Sequence, residues 1–136
     1  MVEINIAYEG QLRCRAVHAP SQTHLFTDAP VDNHGRGETF SPTDLVATAL
    51  GGCIVTIMGI LAQRDGIKLD GTKVRVEKHM SADLPRRIAK LVAQIEFVPG
   101  IPGERREVLE RASNSCPVLQ SLHPNIDVQI SFSYPD

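Results

Sequence analysis

Between Leu45 and Ala62 the chain runs for 18 residues without a charged side chain. Its start is sharply marked by Ser41-Pro42-Thr43-Asp44. Ser41 can cap the free amides of a first turn, Pro42 suits the first helical position, and Asp44 completes a capping box. Gly66 offers a stop. The run is long enough to meet the loose threshold for a membrane span. Thr48, Gly51, Gly52, Thr56 and Gly59 interrupt it, however, and strand-like segments flank it on both sides. A helix apolar all round has to be buried somewhere, so the expectation is a buried central helix of a folded domain and no membrane partner.

The flanks read as strands because apolar and polar residues alternate with a period of two. Val2, Ile4, Ile6 and Tyr8 share one face of a half-buried first strand, and Gly10 breaks it. Leu12, Cys14 and Ala16 begin a second strand, with Arg13 and Arg15 on its other face, and a weaker third covers 22–27. Residues 28–41, with Pro30, Gly35 and Gly37, form a loop. After the helix come strands over 72–81 and 87–98, joined by a turn at Asp83-Leu84-Pro85. A turn over 100–103 then leads to a helix over 104–115 with a narrow apolar stripe of Val108, Leu109 and Ala112. Ile126 to Tyr134 alternate most clearly of all. Three strands, a helix, two strands, a helix and a strand predict one α+β domain over residues 1–136 with a largely antiparallel sheet. A small domain would struggle to cover both the sheet and such a helix. Pairing of two chains would bury two helices together, with Ala47, Ala49, Gly51 and Gly52 allowing close approach.

Lys and Arg total 14 against 16 Asp and Glu, for a net charge of -2, with no block of like charge. Nothing here points to nucleic acid or to an anionic surface. Hydrophobic content of 42% is that of a folded protein, and the absence of Trp weakens any base-stacking or sugar-binding role. The opening Met-Val-Glu-Ile-Asn-Ile has neither a basic n-region nor an apolar h-region, so no secretion leader is expected. Cys14, Cys53 and Cys116 are odd in number and widely spread, unlike the framework of a secreted mini-protein. A cytoplasmic, reducing setting fits them, and any disulfide would be transient.

Two cysteines stand out. Cys53 lies mid-helix behind Gly51-Gly52, and two glycines cost a helix about 0.8–1 kcal/mol each relative to Ala. They leave room beside the sulfur for a chain segment or a substrate. A free cysteine is also commonly just a small buried hydrophobe, so both readings stand. Cys116 precedes Pro117, where a helix breaks. Pro117 could open a short helix through Leu122, leaving Cys116 at its N-cap, where free amides favour a thiolate. An apolar cap packed on Val118 and Leu122 is the alternative. Cys14 reads as core. The five histidines, His18, His24, His34, His79 and His123, lack metal-ligand spacing. Gly35-Arg36-Gly37 neither follows a strand nor opens a helix as a phosphate loop does.

Residues 41–53, Ser-Pro-Thr-Asp-Leu-Val-Ala-Thr-Ala-Leu-Gly-Gly-Cys, resemble the first reactive-cysteine segment of the OsmC/Ohr hydroperoxide-reductase family. Residues 112–118, Ala-Ser-Asn-Ser-Cys-Pro-Val, resemble its second. The wording is most similar to the OsmC-like branch. The resemblance implies an intertwined homodimer, with two long buried central helices wrapped by mostly antiparallel sheets and an active site at the subunit interface. It implies thiol-dependent reduction of organic hydroperoxides, with Cys53 peroxidatic, Cys116 resolving, and an external dithiol (a lipoylated protein or a thioredoxin-like one) as reductant. No metal, haem or flavin cofactor is implied. The family activates its cysteine with an arginine held by a glutamate. Arg36 is the candidate arginine, with Arg13 and Arg15 as fallbacks. Thr43 stands where OsmC and Ohr proper carry the glutamate, with Asp44 beside it as candidate or simple cap and Glu38 upstream. That departure also fits a non-catalytic dimer that binds a hydrophobic ligand or senses oxidants.

Overall fold

The computed structural model describes residues 1–135. Two compact units divide at Val46 and Ala47, and each is described by itself.

In the first unit β1 (Ile4–Gly10), β2 (Arg13–His18) and β3 (Thr23–Asp28) form an antiparallel sheet in that order. Tyr8 faces Cys14, which faces Thr27, and Ile6 faces Ala16, which faces Leu25. One face therefore carries Ile4, Ile6, Tyr8, Cys14, Ala16 and Leu25. The expected half-burial of β1 is not met: Ile4, Ile6 and Tyr8 are 58%, 67% and 66% exposed. Alternation places side chains on a common face, but it does not supply what covers that face. Cys14, expected in a core, is only half-buried for the same reason.

Helix α1 spans Pro42–Arg64. Its start is the expected capping box: the Ser41 amide donates to Asp44 Oδ2 at 2.9 Å and the Asp44 amide donates to Ser41 Oγ at 3.1 Å. Among the described residues this helix alone is long and apolar enough to cross a membrane. One side of it, Ala47, Leu50, Gly51, Ile54, Met58 and Ala62, is buried. The opposite side, with Thr48, Ala49, Gly52, Thr56 and Ile60, is open in the single chain.

The buried side belongs to the core of the second unit. β4 (Lys73–Met80) and β5 (Ile88–Glu96) pair antiparallel, and β5 pairs parallel with β6 (Asp127–Ser133). That parallel step needs a crossover, which α2 (Gly103–Ala112), a 3₁₀ turn over Ser113–Ser115 and α3 (Pro117–Ser121) provide. Register aligns Val74, Ile95 and Phe132, then Val76, Ala93 and Ile130, and these join Leu50, Ile54, Met58, Leu91 and Leu109 in one apolar cluster. Each fully buried Leu, Ile or Met contributes about 1.5–3 kcal/mol.

Gly51 has a specific task in this packing. A Cβ there would lie 2.8 Å from Val76 Cγ2 and 3.2 Å from Val74 Cγ1. The space that the sequence suggested for a second helix is thus taken, at Gly51, by this chain's own β4. At Gly52 an added Cβ would meet nothing within 4 Å.

Candidate functional site: the Cys53–Cys116 thiol pair

Cys53 projects from the middle of α1, half-buried against the core cluster. Cys116 comes to it from far along the chain. The 3₁₀ turn ends at Cys116, whose extended backbone (φ -58°, ψ 119°) breaks the helical path, and Pro117 takes the first position of α3. This is the N-cap geometry expected of a residue before proline. The Leu119 amide donates to Cys116 Sγ at 3.4 Å, the Gln120 amide to the Cys116 carbonyl at 3.1 Å, and the Cys116 amide to the Ser113 carbonyl at 3.2 Å.

The Cys116 side chain is fully buried, with Cys53 beside it. Burial, and then the neighbouring Cys53, push its thiol above the ordinary value of 9.0 against the pull of the Leu119 and Val118 amides. The expectation that the N-cap would favour a thiolate is therefore corrected: desolvation of the charged form outweighs two amide dipoles. Burial thus favours the neutral thiol at Cys116.

Two neighbouring thiols, one on a long helix and one at a chain break, are a pair that an oxidant could join. A covalent bond would bring them to about 2.05 Å. Among the described residues no group of three His, Cys, Asp or Glu side chains could hold a metal ion.

The other candidate residues lie in the first unit. Arg36 is exposed, with Nη1 3.9 Å from Glu38 Oε1, while Arg13 Nη1 lies 3.2 Å from Glu38 Oε2. Glu38 thus serves both arginines at once. Its amide donates to Oδ2 of the buried Asp28 at 3.0 Å, and the Asp28 amide donates to the Phe40 carbonyl at 3.0 Å, pinning the loop. Sequence reasoning named Glu38 only as lying upstream and missed Asp28, because a contact between a loop and a strand leaves no periodic signal. Asp44 is occupied in the capping box, and the Thr43 hydroxyl lies 3.2 Å from that of Ser41.

Residues 35–131 match the family model described as OsmC-like protein. This chain belongs to the OsmC family. A Psychrobacter arcticus structure, provisionally described as an osmotic stress induced and detoxification response protein, is 40% identical and superposes with a TM-score of 0.92 over 98% of this chain and 96% of that one. The OsmC organic hydroperoxide resistance protein of Legionella pneumophila shares the fold at 18% identity, with a TM-score of 0.78 over 98% and 96% of the two chains. OhrB, the Bacillus subtilis organic hydroperoxide resistance protein, does so at 15%, with a TM-score of 0.71 over 98% of each. No curated protein sequence matches this chain. The α+β architecture expected from the order of elements is that of the OsmC family.

Proposed function

We propose that this OsmC-family chain is a thiol-dependent reductase of organic hydroperoxides. The observation that carries the reading is that two cysteines far apart in the sequence, Cys53 and the buried Cys116, are neighbours in the fold. In the first step the Cys53 thiolate attacks the distal peroxide oxygen; the O–O bond breaks, the alkoxide takes a proton and leaves as alcohol, and Cys53 becomes a sulfenic acid. Cys116 sulfur then attacks that of Cys53. Hydroxide leaves, takes the Cys116 proton and departs as water, and a Cys53–Cys116 disulfide remains. An external dithiol returns both thiols. Arg36, with Glu38 as its carboxylate, is the proposed cation for activating Cys53, with Arg13 as alternative. Asp44 acts in this reading through the helix start that it caps.

The names of the Legionella and Bacillus proteins supply the substrate class. Three unpaired cysteines suit a cytoplasmic, reducing compartment. The exposed faces of β1 and α1 call for a second copy of the chain, making the working unit a homodimer. One observation favours a different reading, a non-catalytic dimer that binds an apolar ligand or senses oxidants: Thr43 occupies the position where OsmC and Ohr proper carry glutamate.

Fully reduced protein treated with one equivalent of cumene hydroperoxide, followed by intact mass and peptide mapping, separates the two. The expected result is a loss of about two daltons mapping to a Cys53–Cys116 disulfide, absent in Cys53→Ser, with turnover when dithiol is added. An unchanged mass would sink the peroxidase reading. Disulfide formation without turnover would favour the sensor.

A further inference from the structure

Cys53 is held within a helix of 23 residues, so closing the disulfide falls to the seat of Cys116. That seat is tied to the far end of the sheet. Just past β6 the Tyr134 ring stacks on Phe97, with centroids 4.7 Å apart and planes at 7°, beneath the Arg106 guanidinium at 4.2 Å. Its hydroxyl donates to Glu110 Oε2 at 2.9 Å. The Glu110 carbonyl in turn accepts Ser113 Oγ at 2.6 Å, Ser113 being only 2% exposed, and the Ser113 carbonyl accepts the Cys116 amide at 3.2 Å. On the other side of the break, Gln120 Nε2 donates to the Asn114 carbonyl at 2.8 Å.

These bonds form an unbroken relay from the aromatic stack to the backbone of Cys116. Of the residues of α2 only Leu109 is fully buried; Arg105 pairs with Asp65, and Ala112 packs partly buried on the core. A short helix with one fully buried side chain is weakly held by the hydrophobic effect, so the Tyr134–Glu110 bond carries much of the orientation of its last turn. The geometry points to Tyr134 and Glu110 as positioning residues for the second chemical step. They set the Cys116 sulfur for attack on the Cys53 sulfenic acid and take no part in the first step.

This inference rests on the redox reading above, and its test separates the two. Tyr134→Phe keeps the ring and its stacking and removes the one donor. In a Cys116→Ser background, where only sulfenic acid can form, Tyr134→Phe should leave the rate of Cys53 oxidation unchanged. With Cys116 present it should slow disulfide formation by about tenfold, the scale of a sub-ångström misplacement. Sulfenic acid should then accumulate and be trapped by dimedone. Glu110→Ala should match it, the double variant should lose little more, and Glu110→Gln, which retains an acceptor oxygen, should recover most of the rate. Disulfide closure as fast as in the unaltered protein, or an equal slowing of both steps, overturns the positioning role. Absence of any sulfenic acid or disulfide in the unaltered protein would instead remove the redox reading beneath it.

Discussion

Cys116 joins a nucleophile's place at a helix start with the surroundings of a core residue, and the second decides its protonation. Its folded pKa is raised by burial and by Cys53, so the neutral thiol is the form that the fold favours. The corresponding stability is fully present below the ordinary thiol value of 9.0 and is lost as pH climbs through the higher folded value. Reduced protein unfolded in urea from about pH 8 upward should lose stability over that limb. Cys116→Ser, which has no thiol to ionise there, should show a flatter profile than the unaltered chain. Equal slopes in the two would show that burial does not hold the proton. The N-cap was legible because proline dictates the conformation of the residue before it. The burial was not, since it comes from segments that no local pattern connects to residue 116.

At the scale of elements, spacing and caps located the six strands and the two longer helices, although α2 ends at Ala112 rather than at Ser115 and a short 3₁₀ helix, Val31–Asn33, lies in the expected loop; the role of Gly51 stayed hidden. Gly-Gly before a cysteine suggests room beside the sulfur, whereas at Gly51 the room is filled by Val76 and Val74 from β4. Val76 is β-branched and stiff about χ1, so it yields poorly to an added methyl. Gly51→Ala should gain about 0.8–1 kcal/mol of helix propensity and lose about 1–3 kcal/mol to overpacking. The net expectation is a fall in unfolding free energy by urea titration, and a rise would mean that β4 gives way. The start of the same helix was legible down to its hydrogen bonds, because a capping box is local. Asp44→Ala breaks the bond from the Ser41 amide and should cost about 1 kcal/mol, seen as a lower urea midpoint at unchanged slope. No shift in midpoint would show that the box contributes nothing net.

For the whole molecule the open question is what covers Ile4, Ile6 and Tyr8, which the alternation of β1 puts on one face with Cys14, Ala16 and Leu25. Contiguous apolar surface of this kind is uncommon on a free monomer. A second copy offers the same face and the same open side of α1, which suits the self-complementary contact of a two-fold dimer. A stable interface buries about 1,200–2,000 Å² in total, so one charge at its centre should be decisive. Ile6→Asp sets a carboxylate where Ala16 and, beyond it, Leu25 are the neighbours, and an unpaired buried charge is among the costliest changes. Light scattering behind a sizing column should show the unaltered chain at the mass of two copies and Ile6→Asp at the mass of one. Cys53 and Cys116 both belong to the second unit, so the variant should still close their disulfide with a diazene oxidant even as reduction of hydroperoxide weakens. A variant that stays dimeric would assign the face to another covering. Monomers that cannot form the disulfide would show that the thiol pair itself depends on the partner.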